Sequence, residues 1–182
     1  MLSMNIRTAV AIVVLPSLLA GIALAAQDRY SLQVPGGLAF SEFKGYEDWQ
    51  TIAVSHNRDK LAIILGNPAM IEAYKAGVPG NGKPFPDGAM MAKIHWTAKK
   101  AEDQPREPLV PGPLHDVDFM VKDSKRFADS GGWGWAAFKY DATSTPGTFA
   151  EKPPQANDAK CGFACHTIVQ AKDYVFTAYP QR

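Results

Sequence analysis

The chain reads mainly as strands. Across 89–96 the pattern has period two: Ala89, Met91, Lys93 and His95 share one face, and Met90, Ala92, Ile94 and Trp96 share the other. A second run, 114–122, places His115, Val117, Phe119 and Val121 on one side and Leu114, Asp116, Asp118 and Met120 on the opposite side. In 133–140, Trp133, Trp135 and Ala137 alternate with Gly134, Ala136 and Phe138. Thr51 to His56 and Lys60 to Leu65 are β-rich runs about Asn57-Arg58-Asp59, which predicts a hairpin. The clearest helix opens at Asn67 as cap and Pro68 at the first helical position, and Gly77 stops it. Short helical turns are predicted over 45–49 and 123–128. Residues 27–43 read as an extended lead-in, 78–87, 101–112 and 141–157 as loops, and 173–177 as a closing strand. The fold class that follows is α+β, mainly antiparallel β-sheet with a few short helices.

The N-terminus changes the domain picture. Arg7 gives a positive start, Ala9 to Leu19 an apolar core, and Ala23-Leu24-Ala25 a small-x-small site, so 1–25 has the pattern of a secretory signal peptide. The apolar run is broken by Pro16 and Ser17 and is short for a membrane span. The expectation is a periplasmic protein with 26–182 as a single domain and no membrane attachment after cleavage. With 19 Lys and Arg against 18 Asp and Glu, the charge is nearly balanced and gives no argument for nucleic acid or an anionic membrane.

The chemistry concentrates in Cys161-Gly162-Phe163-Ala164-Cys165-His166. Two cysteines closing on a histidine is the pattern of covalent haem attachment, in which the thiols add to haem vinyl groups and the histidine reaches iron. A local disulfide, a zinc corner or two unrelated thiols are the alternatives. Zinc wants four ligands, and His56, His95 and His115 lie far off in sequence. The motif is expected on a short C-terminal helix, whose successive turns bring residues three and four apart to one face. The last methionine is Met120, so none follows the motif. Met70, Met90, Met91 or Met120 is available as a sixth ligand, but the spacing demands none. An iron with one protein ligand binds or activates small molecules.

Other polar positions carry two readings from the pattern alone. Lys93, between Met91 and His95, is a solvated outer-face lysine or a site residue, and His95 shares that choice. Asp116 and Asp118 are a solvated face or a proton relay beside a cofactor. His56, at a hairpin turn, reads as a solvated loop histidine.

Pro86-Asp87-Gly88 with MMAKIHW, then VKDSKRFADSGGWGW, then CGFACHTIVQAKDYVFT, taken in this order, resembles the cytochrome P-460 family over nearly all of 26–182. The resemblance implies a periplasmic homodimer of mainly antiparallel sheet with one haem c per chain, held by Cys161, Cys165 and His166. Enzymatic members oxidise hydroxylamine through nitric oxide chemistry to nitrous oxide, and the electrons would pass to a soluble periplasmic acceptor such as a cytochrome c. In those members a strand lysine is bonded to the haem edge, and Lys93 matches it by its place in MMAKIHW. A distal carboxylate moves protons, and Asp118 falls at about that place, where a glutamate is the family residue. Related cytochromes c-prime-beta share the fold, lack the lysine bond and bind nitric oxide without turnover. The implied activity is therefore a haem oxidoreductase acting on hydroxylamine, with a nitric oxide-binding protein or an electron-transfer cytochrome as the alternatives. The family motif is C-x-x-C-H and this one is C-x-x-x-C-H, which matches Cys165 and His166 and leaves Cys161 either bonded or free.

Overall fold

The computed structural model describes residues 27–36, 38–152 and 159–181, together with the backbone but not the side chains of Ala159 and Cys161. The predicted signal peptide, 1–25, lies outside the described residues. Among those residues the strands are β1 (Gln50–Asn57), β2 (Lys60–Gly66), β3 (Met90–Lys100), β4 (Leu109–Lys122), β5 (Trp133–Asp141) and β6 (Thr148–Glu151), and the α-helices are α1 (Pro68–Lys75) and α2 (Ala159–His166). The strands form one antiparallel sheet in the order β1-β2-β3-β4-β5-β6, so each pairs with its neighbours in sequence. The α+β, mainly β, class and the C-terminal helix are as the sequence predicts.

The two faces of the sheet divide the work. On one face Leu65, Ala92, Val117, Phe119, Val121, Ala136 and Phe138 meet the N-terminal segment, which brings Val34, Leu38, Phe40, Phe43 and Tyr46. Phe43 stacks on Phe119 at 4.2 Å between centroids, and Phe40 meets Phe138 at 4.7 Å. Each such phenylalanine contributes about 1.5–3 kcal/mol through burial. The lead-in is thus not extended: it folds into 3-10 turns at Arg29–Ser31 and Phe40–Phe43, because its apolar residues are needed as the lid of this core. On the other face α1, α2 and the C-terminal segment cover Ile64, Met91, Trp133 and Trp135.

α1 starts as predicted: the Asn67 side chain accepts from Met70 N–H at 3.0 Å. The same oxygen accepts from Met90 N–H at 3.0 Å, and the Asn67 amide donates to Gly88 O at 2.8 Å, so one side chain joins the helix start to β3. The 57–60 hairpin forms with Asn57 opposite Lys60, and His56 is exposed there.

Three expectations are corrected. β4 begins at Leu109, well inside the predicted loop, because Val110 and Pro111 pair with Lys99 and Ala98 despite the prolines. A bulge between His95 and Trp96 shifts the register, so Leu114 packs with Val117 and not on the Asp116 face. The predicted loop 141–157 contains β6, which pairs with β5 from Phe138 to Asp141.

The predicted closing strand at 173–177 is also absent. Asp173 and Tyr174 are both left-handed, at φ 50° and φ 63°. The first is held by a buried ion pair: Lys122 Nζ donates to Asp173 Oδ1 at 2.8 Å and to Gly131 O at 2.9 Å, while Phe85 N–H donates to Asp173 Oδ2 at 2.7 Å. Gly131 is required beside this turn, since a Cβ there would sit 2.3 Å from the Tyr174 ring.

Asp173→Asn keeps the shape and tolerates the left-handed backbone, but leaves the Lys122 ammonium buried without its counter-charge. The expected loss is about 3 kcal/mol, read from the denaturation midpoint of the haem-loaded protein. An unchanged midpoint would show that the pair is structurally idle.

Candidate haem site

α2 lies across β5 because Gly162 has no side chain: a Cβ at that position would fall 2.3 Å from Trp135 Cγ. This close approach places the motif at the mouth of a cavity of about 450 Å³, within the roughly 300–1,000 Å³ range of ligand pockets. His166, Cys165, Lys93 and Asp118 all line it. Residues from β3, β4 and α2, far apart in sequence, therefore converge on one space.

His166 is oriented by the C-terminal turn. Its Nδ1 lies 2.6 Å from the Tyr174 carbonyl oxygen, which can only accept, so Nδ1 carries the proton and Nε2 is left with its lone pair. The ring stands between Trp135, at 5.2 Å between centroids, and Phe176, at 4.9 Å. Burial lowers the imidazole below the ordinary histidine range; the Tyr174 carbonyl works against this, and the charge of Lys93 works with it. A neutral imidazole with a free Nε2 is the form that coordinates a metal.

Cross-strand register arranges the cavity wall in rows. Met91, Met120 and Trp135 form an apolar row beside α2. The next row is Lys93, Asp118 and Ala137, with Ile64 beyond Lys93. The third pairs His95 with Asp116. Rows on one face are roughly 7 Å apart along the strands. The histidine end is thus lined by hydrocarbon, sulfur and indole, and the far end is charged.

The far end is a connected cluster. Asp116 is only 2% exposed; one oxygen lies 2.5 Å from His95 Nδ1, and the other is ion-paired with Lys152 Nζ at 2.5 Å. His115 Nδ1 lies 2.8 Å from Asp116 Oδ2. Burial pushes the Asp116 carboxyl up, but the hydrogen bonds and charges of His95 and Lys152 outweigh it and hold the group well below the usual carboxylate range. Asp118, on the cavity side, has Lys152 Nζ at 3.3 Å from Oδ1 and His95 Nδ1 at 3.7 Å from Oδ2.

These placements decide between the paired readings of the pattern. Lys93 faces the cavity, not bulk water. His95 is half-buried against Asp116, so its solvated reading is corrected. Of the methionines, Met91 and Met120 line the cavity, while Met70, on the inner side of α1, is buried in the core. Cys161 lies on the backbone of α2, and its side chain is outside the described residues. The sequence reading did not pick out Lys152, Gly162 or the Tyr174 carbonyl. Lys152 sits next to a proline-rich stretch with no motif, and no side-chain pattern marks a carbonyl.

The residues fit a haem. The cavity offers a thiol and a metal-ready imidazole on one helix, apolar walls beside them, and polar groups at the other end. Independently, the sequence model of the family described as Cytochrome P460 matches residues 43–177, from Phe43 of the N-terminal core segment through the turn that orients His166. No curated protein matches the chain. The match covers most of the chain and brings the haem with it: this protein is a haem protein and belongs to the cytochrome P460 family.

Proposed function

We propose that the protein is a periplasmic oxidoreductase that binds hydroxylamine at an open haem iron and oxidises it, with nitric oxide and nitrous oxide chemistry. The observation that carries this reading is the cavity itself: a single imidazole ready for iron at one end, and Lys93 and Asp118 together at the other. When bound, the haem supplies an iron site for a small nitrogen ligand and a path for its electrons.

The chain's residues divide the remaining tasks. Cys165, with Cys161 as the second thiol, would anchor the haem covalently, one per chain. His166 is the iron ligand, and the Tyr174 carbonyl fixes its tautomer. Lys93, which lines the cavity, would bond to the haem edge and alter the ring's electronics. Asp118 takes the protons that hydroxylamine loses on oxidation. The apolar row of Met91, Met120 and Trp135 keeps water from the histidine side. The electrons pass to a soluble acceptor such as a cytochrome c, and the protein works as a homodimer exported by its N-terminal signal.

Two predictions test the assignment. Haem in the purified protein survives acid–acetone extraction; Cys165→Ala abolishes stable attachment, and Cys161→Ala weakens it less. Haem passing to the organic phase from the unaltered protein would remove the covalent assignment.

Lys93→Ala gives an ordinary c-haem spectrum, keeps haem and loses hydroxylamine oxidation. Asp118→Ala leaves the spectrum nearly unchanged and slows turnover on the order of 10²–10⁴-fold, the usual contribution of a proton acceptor; Asp118→Glu keeps most activity. The measurements are the absorption spectrum and steady-state oxidation. An unmodified lysine in a protein that never turns over hydroxylamine would replace this reading with nitric oxide binding.

A further inference from the structure

Lys152 follows β6 directly, and its place in the sheet is fixed by the backbone. Its N–H donates to Ala137 O at 3.1 Å, which carries the β5–β6 pairing one residue past the strand. Ala137 is the cross-strand partner of Asp118. The small side chain of Ala137 therefore lies between the two, and the long side chain of Lys152 reaches across it. The ammonium meets Asp118 Oδ1 at 3.3 Å and Asp116 Oδ2 at 2.5 Å.

Asp116 cannot follow if Asp118 moves. It is 2% exposed, and its carboxylate is also held by His95 and His115. It acts as a fixed anion that pins the ammonium from behind. The other charged and titratable groups facing this point are Lys93 opposite Asp118 on β3, His95 at 3.7 Å from Asp118, Lys60 at 3.4 Å from His115, and Lys139 opposite Asp116 on β5.

A second depression of about 250 Å³ is lined by Lys93, His95, Asp116, Asp118 and Lys152, and so shares its polar wall with the main cavity. His95, Asp116 and Asp118 bring donor atoms within 4.8 Å of one another, as a cation site would. The Lys152 ammonium already lies against both carboxylates and supplies the positive charge, which argues against a metal there.

We propose that Lys152 is a positioning residue for the haem site: anchored by Asp116, its ammonium holds Asp118 at the cavity edge as a charged proton acceptor. The inference rests on the reading of Asp118 as that acceptor. Burial lowers the Lys152 ammonium, but the charges and hydrogen bonds of Asp118 and Asp116 outweigh this and raise it above the ordinary lysine range. An ion pair acts on both partners, so removing the cation makes the carboxyl pair easier to protonate.

The test uses the ferric, haem-loaded protein and follows cyanide association against pH. Hydrogen cyanide must give up its proton to bind as cyanide, so a proton acceptor at the site speeds binding. Lys152→Met keeps the aliphatic stem and loses the charge. The acid limb of its profile moves up by about one pH unit, and association on that limb slows about tenfold. Lys152→Arg stays near the unaltered protein, and Lys152→Gln repeats the shift should the methionine variant not fold. A profile unchanged in the neutral variants overturns the proposal. So does an Asp118→Ala protein that takes up cyanide as the unaltered one does, since no acceptor would then need positioning. Cyanide binding requires only an open iron with a base beside it. A protein that shows the shift but never oxidises hydroxylamine keeps this inference and loses the enzymatic reading.

Discussion

The buried pair of Lys122 and Asp173 is the contact on which the site depends. It joins the end of β4 to the segment after the haem motif, and both side chains are almost fully shielded. Removing two charges from water is costly, and the cost is offset here by added hydrogen bonds to Gly131 O and from Phe85 N–H, and by the face of Trp133 beneath the ammonium at 5.1 Å. Asp173 tolerates the left-handed backbone; Tyr174 follows it there because its ring packs against Gly131. The consequence is local and chemical: the Tyr174 carbonyl is delivered to His166 Nδ1, which selects the tautomer able to bind iron.

A meander sheet suits this task. Every strand pairs with its sequence neighbour, and the register of each row is held by the apolar face packed on the N-terminal segment. With that face fixed by Phe40, Phe43 and Phe119, the alternation of a strand sends Lys93, His95, Asp116 and Asp118 to the other side together. A one-residue slip would bury the charges under the phenylalanine core and expose Ala92 and Val117. The hydrophobic layer thereby sets the position of the polar groups it never touches.

Within the cavity, polarity is graded by distance from α2. The row under His166 is Met91, Met120 and Trp135, which offers no hydrogen-bond acceptor stronger than a thioether. The charged rows begin one pleat further on. Asp116 is the most buried acidic group among them, and its hydrogen bonds and charge contacts with His95 and Lys152 hold it well below the usual carboxylate range. A carboxylate of this kind is an anchor, not a proton carrier. Asp118 is 41% exposed at its side chain and has longer contacts to Lys152 and His95.

Much of this was legible in the sequence. The alternation in MMAKIHW and in the strand ending at Lys122 placed Lys93 and Asp118 on definite faces, since side-chain direction in a strand is local. Asn67-Pro68 defined the start of α1, because capping involves only neighbouring residues. The motif at 161–166 pointed to a haem, since that reading needs only the order of its residues. What the order could not decide was which faces meet. Whether Lys93 looked into water or into a cavity depended on α2 crossing β5, which rests on a close approach at Gly162, and His95 is shielded by Asp116 instead. Lys152 joined the site only because β6 pairs with β5 from within an apparent loop, and the turn at Asp173 replaced a predicted strand because Lys122, fifty-one residues earlier, holds it. Local geometry is written in neighbouring residues; the ion pairs and backbone contacts that bring distant segments together exist only once the chain has folded.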